Sequence, residues 1–282
     1  MQKKCDSMTE CSSENQVTIP LLLPERLTGL ADLPGVQLFF TTRRGGVSQG
    51  SYDSLNLGGH VGDDAAAVAR NRAKVASLWG ERIDRICYLN QVHGTTTVEQ
   101  GGEESATAVD ADAWVTQQTG VVLAILTADC APVLLADAEA RVIGAAHAGW
   151  RGGLAGVLES CLDAMLERGA RREHIQAVIG PCIHQTFYTV DEAFLATFDS
   201  QSDKISINHK KFFSKQNNTG RMRFDLPGYL QERLKLYGLL KERIHDVKLC
   251  TYSESNDFFS HRRATHQGSS PCGRQMGGIF LF

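Results

Sequence analysis

The stretch Thr127–Gly153, TADCAPVLLADAEARVIGAAHAGWRGG, contains the pattern that decides the fold. Val133–Ala136 and Arg141–Ala146 are short apolar runs, and Val121–Thr127 is a third run just before them. Runs of this length are typical of buried strands. The amphipathic spacing that follows predicts a helix from about Gly153. Strands that alternate with helices in this way predict an α/β fold.

Similar patterns continue along the rest of the chain. They predict helices at 64–78, 190–198 and 225–237, a long polar loop at 200–220, and strands at 36–42, 86–89, 177–180, 247–252 and 279–282. No internal repeat and no clear linker divides the pattern. We therefore expect a loosely held tail at 1–20 and one domain at 21–282.

Composition limits the classes of protein to which the chain could belong. The 282 residues are 42% hydrophobic and 22% charged, which is typical of a soluble globular protein. A net charge of −3 gives no electrostatic reason to expect a nucleic-acid partner. No apolar run is long enough to span a membrane, and the first residues lack the apolar core of a signal peptide. Eight cysteines without a CxxC pair favour a reducing, cytoplasmic location.

Three residues with metal-binding chemistry follow apolar runs. His93 comes after the predicted strand 86–89, Cys130 after 121–127, and His147 after 141–146. Two imidazoles and one thiolate form a zinc ligand set that leaves a fourth position open. Spacing alone leaves two alternatives. Cys130 could instead be the nucleophile of a Cys–His hydrolase, or the three residues could be a buried thiol and two core histidines.

A set of motifs carries a family resemblance. In chain order they are TTRRGGVS (41–48), SLNLG (54–58), NR (71–72), QVHG (91–94), TADC (127–130), AHAGWRG (146–152), IGPCI (179–183) and GRQ (273–275). Together they closely resemble the YfiH-like family, long described as a multicopper polyphenol oxidase or laccase domain. That family is now described as a purine nucleoside phosphorylase with adenosine deaminase and methylthioadenosine phosphorylase activity.

The resemblance implies a fold, a metal and a set of substrates. The fold would be a layered assembly of mixed β-sheets flanked by helices. His93, Cys130 and His147 would bind zinc, with copper as a possible substitute. The substrates would be phosphate and purine nucleosides (adenosine, inosine, guanosine and methylthioadenosine), handled by a monomer or a small homo-oligomer.

Further residues are candidates for catalysis and for contacts with the substrates. Arg43, Arg151 and Arg262 could bind phosphate, and Asn56 and Gln91 could contact the nucleoside.

A group is also needed to transfer a proton to or from the purine. Asp129, next to Cys130, is the first candidate for this acid or base. Asp112 is the alternative, although the sequence is equally consistent with a surface residue that has no role in catalysis. The Ser-His-Arg segment around His261 departs from the family pattern, so His261 receives no role.

Three other functions are retained as alternatives. The family also includes a peptidoglycan-editing hydrolase that removes L-Ser from a UDP-muramoyl precursor. A laccase-like copper oxidase is the second alternative, although nine histidines without a His-x-His pair cannot build a multicopper cluster. A zinc-stabilised binding module is the third, and it would need a fourth protein ligand that the sequence does not indicate.

Overall fold

The computed structural model describes residues 21–22, 33–100, 109–200, 207–215 and 221–282. Its helices are α1 (Ala65–Ser77), α2 (Trp150–Ala155), α3 (Val157–Leu166), α4 (Glu192–Asp199), α5 (Leu226–Leu236) and α6 (His261–His266). Its strands are β1 (Leu21–Leu22), β2 (Val36–Thr41), β3 (Arg85–Tyr88), β4 (Thr97–Glu99), β5 (Ala113–Thr116), β6 (Val121–Thr127), β7 (Ala131–Asp137), β8 (Val142–Ala148), β9 (Gln176–Ile179), β10 (Thr189–Val190), β11 (Phe213–Lys215), β12 (Met222–Phe224), β13 (Ile244–Asp246) and β14 (Gln275–Leu281).

Two mixed sheets form the centre of the fold. One sheet has the strand order β1-β2-β14-β6-β3, and the other has the order β13-β9-β7-β8-β5-β4. In each sheet most neighbours are antiparallel, and parallel pairs occur at β3–β6, β9–β13 and β4–β5. A small third sheet, β10-β12-β11, lies apart from them. The predicted α/β fold with mixed sheets is confirmed.

The two large sheets pack face to face, and helices cover their outer faces. Phe40 and Ile125 from the first sheet meet Leu134 and Ile143 from the second in one buried cluster. On the far side of the second sheet, side chains of α3 and α5 pack against β7 and β8. On the far side of the first sheet, α1 contributes Val75. Strands buried on both faces must be apolar throughout, which explains the continuous runs in the sequence.

Capping side chains fix the starts of three helices. Asp64 accepts hydrogen bonds from the amides of Ala66 and Ala67 and so caps α1, as the sequence predicted. Asp191 caps α4 and Asp225 caps α5 in the same way. The helix predicted from Gly153 begins instead at Trp150, and it breaks at Gly156, whose φ of 108° only glycine adopts readily.

Two predictions of secondary structure were wrong. The strand predicted at 247–252 lies earlier, at Ile244–Asp246, because the side chain of Asp246 accepts a bond from the Lys248 amide and turns the chain. The loop predicted at 200–220 contains a 3₁₀ turn, His209–Phe212, and β11 within its described part. The aromatic rings of Phe212 and Phe213 pack against Tyr229 and Phe224, which outweighs the polar residues around them.

Other predictions are limited by the range that the structure describes. The predicted tail at 1–20 lies outside the described residues, and a single domain at 21–282 stays a prediction. Among the helices of the described residues, none is both long and apolar enough to cross a membrane.

Truncation of a side chain in the core between the two large sheets should strongly lower the free energy of unfolding. Leu134 is fully buried there, so Leu134→Ala should lower the free energy of unfolding by about 2–5 kcal/mol through lost apolar contact and a residual cavity. Leu236→Ala is the matched control because that side chain is 53% exposed, and its effect should stay within about 0.5 kcal/mol. Urea denaturation measures both. Equal losses in the two variants would contradict the assignment of this core.

Candidate metal centre and cleft

Pairing of β7 with β8 brings Cys130 close to His147. The two strands are antiparallel with Ala131 opposite Ala148, so the start of β7 lies beside the end of β8. Cys130 comes directly before β7, and His147 is the last residue but one of β8. The start of one apolar run and the end of the next therefore meet at the same edge of this sheet.

A buried carboxylate brings in His93 from a different segment. Asp112 comes directly before β5, which pairs with β8. Its two oxygens accept hydrogen bonds from the amides of Val92, His93 and Gly94 at 3.1, 3.0 and 2.7 Å. The segment after β3 is thereby fixed beside the end of β8.

The three side chains form one candidate metal site. One ligand atom from each of His93, Cys130 and His147 lies within 4.8 Å of the others, and Cys130 Sγ is 4.0 Å from His93 Nε2. Within the described residues this is the one such group of three or more His, Cys, Asp or Glu side chains. His93 is exposed, Cys130 is half-buried and His147 is buried, so the site opens to one side.

Asp112 also orients His147. Its Oδ1 lies 2.7 Å from His147 Nδ1, which leaves Nε2 for the metal site. Burial raises the pKa of Asp112, but the bond to His147 and the backbone amides outweigh burial and lower it. Asp112 is 0% exposed, so the surface interpretation of this residue is wrong. It positions the candidate ligands.

Cys130 and His147 stabilise each other's charged forms. Burial raises the pKa of the Cys130 thiol, but His147 and His93 outweigh burial and lower it to about 6. Burial lowers the pKa of His147, whereas Cys130 and Asp112 raise it to about 9. A thiolate beside an imidazolium at neutral pH is ready to exchange the imidazolium proton for a metal ion.

The backbone around the ligands is unusual. His93 and Asp129 have φ values of 62° and 98°, which side-chain-bearing residues adopt rarely. Gly149 allows the turn after β8 to pass over the site, because a Cβ there would lie 2.7 Å from Cys130 Sγ. The glycine of the His-Ala-Gly-Trp motif thus makes room for the thiol.

The site lies in a cleft of about 380 Å³. Besides the three ligands, the side chains that line it are His60, Gln91, Leu126, Thr127, Ala128, Asp129, Trp150, Arg151, Ile183, Tyr188, Leu226, His261, Arg262 and Arg274. Asp129 is the one carboxylate among these lining residues, and three arginines are among them.

Four predicted site residues other than the three candidate ligands line this cleft: Gln91, Asp129, Arg151 and Arg262. Gln91 is held there by two hydrogen bonds of 2.8 Å to the Leu126 backbone, which tie its segment to β6. Asp129 accepts from Thr251 Oγ1 at 2.7 Å and from the Arg262 amide at 2.6 Å. Arg262 itself donates to the Thr189 carbonyl, and Arg151 lies over the Trp150 ring.

The structure does not bring Arg43 or Asn56 into the cleft. Arg43 donates to the carbonyls of Asp53 and Ser255 and lies over the ring of Phe259, so its guanidinium holds two loops together. Asn56 is fully buried, and its side chain bonds to Gly58 and Arg274 within the fold.

Sequence reasoning assigned no role to several lining residues. His60 follows the SLNLG motif, and Arg274 belongs to the GRQ motif, so both stood in or beside motifs that carried the resemblance. His261 lines the cleft although it received no role. Tyr188 lies directly before β10, in a segment without periodicity, and no local signal indicated it.

Comparison with known proteins decides the family. A family model described as "Multi-copper polyphenol oxidoreductase laccase" matches residues 37–282. A structure of YfiH from Bacillus licheniformis is 30% identical, with a TM-score of 0.80 over 90% of this chain and 95% of that one. This chain belongs to the YfiH family.

Other relatives of this YfiH-family protein have been named by activity. A protein of Deinococcus radiodurans named purine nucleoside phosphorylase is 47% identical over 228 residues, which are 81% of this chain and 84% of the relative. One of Corynebacterium glutamicum with the same name is 38% identical over 248 residues, 87% of this chain and 94% of the relative.

A second solved structure has the same fold. This structure, from Neisseria meningitidis, is 35% identical and has a TM-score of 0.75 over 88% of this chain and 94% of that one.

The donor set of this YfiH-family protein suits one zinc ion. A thiol with a lowered pKa and two imidazoles are zinc ligands of ordinary type, and three protein ligands leave a coordination position free. The hydrogen bond that Nδ1–H of His147 donates to the Asp112 carboxylate is the usual support of a histidine that binds a metal through Nε2.

The coupling of Cys130 to His147 predicts an unusual pH dependence of alkylation. In metal-free protein, reaction of Cys130 with iodoacetamide should be half-maximal near pH 6, because the thiolate is the reactive form. In His147→Gln the midpoint should move above about pH 8, since the positive partner is gone. Peptide mass spectrometry resolves Cys130 from the other cysteines. His174→Gln, which changes a histidine paired with Glu139 elsewhere, should leave the midpoint unchanged.

Loss of the Asp112 carboxylate should weaken metal binding without unfolding the protein. Asp112→Asn keeps the size of the side chain but loses an acceptor for His147 and for the amides of 92–94. Zinc affinity, measured by competition with a chromogenic chelator, should fall about 10–100-fold. Asp110→Asn is the matched control, because Asp110 is exposed and bonds to Asn90. Unchanged zinc affinity in Asp112→Asn would show that His147 does not depend on this support.

Proposed function

We propose that this protein is a zinc-dependent purine nucleoside phosphorylase, which converts a purine nucleoside and phosphate into free base and ribose 1-phosphate. The observation that carries the proposal is the group His93, Cys130 and His147 opening onto a cleft that Arg151 and Arg262 also line. The names of the relatives support it.

The cleft has the size and lining that a nucleoside requires. A volume of about 380 Å³ falls in the range of small-molecule sites. Trp150 and Tyr188 offer flat apolar surfaces for a purine or ribose ring. Gln91 contributes a polar edge whose position is fixed by its bonds to Leu126.

Arg151 and Arg262 are the proposed contacts for phosphate. Phosphate must approach C1′ of the ribose while the bond from C1′ to the purine nitrogen breaks, through a transition state of oxocarbenium character. Guanidinium groups bind phosphate oxygens in a fixed geometry and bring the nucleophile into place. Arg151 has no ion pair within the described residues, so its charge is available to a ligand.

Asp129 is the proposed acid or base for the purine. It is the carboxylate that lines the cleft, and its backbone is held by the amide of Ile183, which donates to its carbonyl. Bonds from Thr251 and from the Arg262 amide fix both carboxylate oxygens. Zinc, held by His93, Cys130 and His147, would supply Lewis acidity to the same cleft.

Deamination of adenosine is proposed as a second activity of the same site. Deamination adds the oxygen of water at C6 of the adenine ring and releases ammonia, so it needs no phosphate, and the two activities differ in their cosubstrate. Removal of L-Ser from a UDP-muramoyl precursor and copper-dependent phenol oxidation are the alternatives that the experiment must distinguish.

The test begins with the metal content of purified protein, followed by incubation with inosine or adenosine, with and without phosphate. We expect phosphate-dependent release of free base, lost on chelation and restored by zinc, and inosine from adenosine without phosphate. Chromatography identifies the products. Zinc-loaded protein that converts neither nucleoside would overturn the proposal, and turnover of the muramoyl-serine substrate would then favour the hydrolase.

Cys130→Ala should lose stoichiometric zinc and phosphorolysis together, because it removes the one thiolate of the site. Activity should fall at least about 100-fold, in line with the loss of a catalytic metal. Cys161→Ala is the control: its thiol is buried under β8, away from the cleft, so zinc and activity should be retained. Full zinc occupancy in Cys130→Ala would contradict the ligand assignment.

A further inference from the structure

A second group of basic side chains borders the cleft, away from the neighbouring pocket that Arg262 also lines. Arg274 and His60 line the main cleft. Trp150, Tyr188 and Arg262 line both this cleft and a neighbouring open pocket of about 370 Å³, which Arg274 and His60 do not reach. The cleft therefore has one cationic region beside the neighbouring pocket and another away from it.

Arg274 is held rigidly by the loop 56–60. Its amide donates to Asn56 Oδ1 at 2.9 Å, and its Nη1 donates to the carbonyls of Cys272 and Gly273. Its aliphatic part lies across Gly58, where a Cβ would come within 2.8 Å of Cγ. These contacts occupy one end of the guanidinium. Its Nε and Nη2 donate no hydrogen bond to any described residue and are available to a ligand.

Arg72 supports the same loop from the other side. Its Nε donates to the Leu57 carbonyl at 3.0 Å, and its guanidinium lies 3.9 Å from the centre of the Tyr88 ring. Its Nη2 lies 3.6 Å from the place where a Cβ on Gly59 would be, so the charge reaches the residue before His60. Burial lowers the pKa of His60, and the positive charges of Arg274, Arg72 and His147 lower it further, which agrees with a cationic region around this ring.

No carboxylate neutralises these two arginines. Both are half-buried, yet neither forms an ion pair with any described residue. Asp63, the acid of the neighbouring loop, accepts instead from Ser48 and Asn56. Half-buried charges without a partner are costly unless an anion binds, and arginines are well suited to phosphate oxygens.

We propose that Arg274 and His60, which line the cleft, together with Arg72, which supports the loop 56–60 from behind, form a second oxyanion subsite that binds a phosphate group. The phosphate could be the inorganic cosubstrate or a group carried by the nucleoside. The link to turnover rests on the proposed function, whereas binding of the anion does not.

The test is direct calorimetric titration of zinc-loaded protein with two probes, inorganic phosphate and inosine 5′-monophosphate, at constant ionic strength. In Arg274→Gln we expect the dissociation constant of at least one probe to rise about tenfold or more, as for loss of a charge-assisted hydrogen bond. A rise for inorganic phosphate identifies the cosubstrate as the source. A rise for the nucleotide alone identifies a phosphate carried by the nucleoside.

Control variants separate this subsite from general effects. Arg70→Gln removes an exposed arginine of α1 that faces Asp64, and both dissociation constants should change less than about twofold. Arg151→Gln reports on the other cationic region. If Arg274→Gln does not fold, Arg72→Gln takes its place, with folding checked by circular dichroism.

Unchanged affinity for both probes in a folded Arg274→Gln or Arg72→Gln would overturn the subsite. Because binding is measured without turnover, that result is distinct from failure of the proposed function, which would appear as absence of phosphorolysis in the wild-type protein. Equal weakening in Arg70→Gln would also overturn it, because the effect would then come from overall charge.

Discussion

The candidate site depends on the buried carboxylate of Asp112. It lies 2.7 Å from His147 and accepts from the amides of the segment that carries His93. One side chain therefore fixes the orientation of one candidate ligand and the position of another. A buried carboxylate is costly unless it is paired and hydrogen-bonded, and both conditions are met here. Metal binding and the local fold are consequently coupled through a single residue.

The charged groups of this site lie at decreasing depth, from the core to the cleft. Asp112 is fully buried, His147 is buried next to it, and Cys130 borders the cleft. Each group stabilises the charged form of the next, so the thiolate is formed at neutral pH although it is half-buried. A metal ion entering this site would meet a negative ligand and a correctly oriented imidazole, with little rearrangement required.

The packed sheets and the segments that connect their strands contribute different parts of the cleft. The two packed sheets supply a rigid edge, where β7 and β8 place Cys130 and His147. The cationic side chains stand at the starts of α2 and α6, which carry Arg151 and Arg262, and in the loop before β14, which carries Arg274. Backbone carbonyls rather than carboxylates hold two of them: Thr189 holds Arg262, and Cys272 holds Arg274. Because these bonds fix position without neutralising charge, the arginines keep their capacity to bind an anion. This arrangement suits the proposed function, in which the cleft holds a neutral nucleoside together with a charged cosubstrate.

The sequence by itself determined the central strands, most helices and the three residues that form the candidate metal site. Local periodicity and capping residues such as Asp64 are properties of neighbouring positions, and the three ligands stood at the ends of apolar runs within recognisable motifs. Only the tertiary structure decided the role of Asp112, the place of Arg43 outside the cleft, and the cationic group around Arg274. The bond between Arg274 and Asn56 joins residues 218 positions apart, and no local pattern encodes such a contact. The structure within 207–215 was missed for the same reason, because distant aromatic packing determines it. The strand at 244–246 was misplaced because the turn at Asp246, rather than hydrophobicity, sets its end.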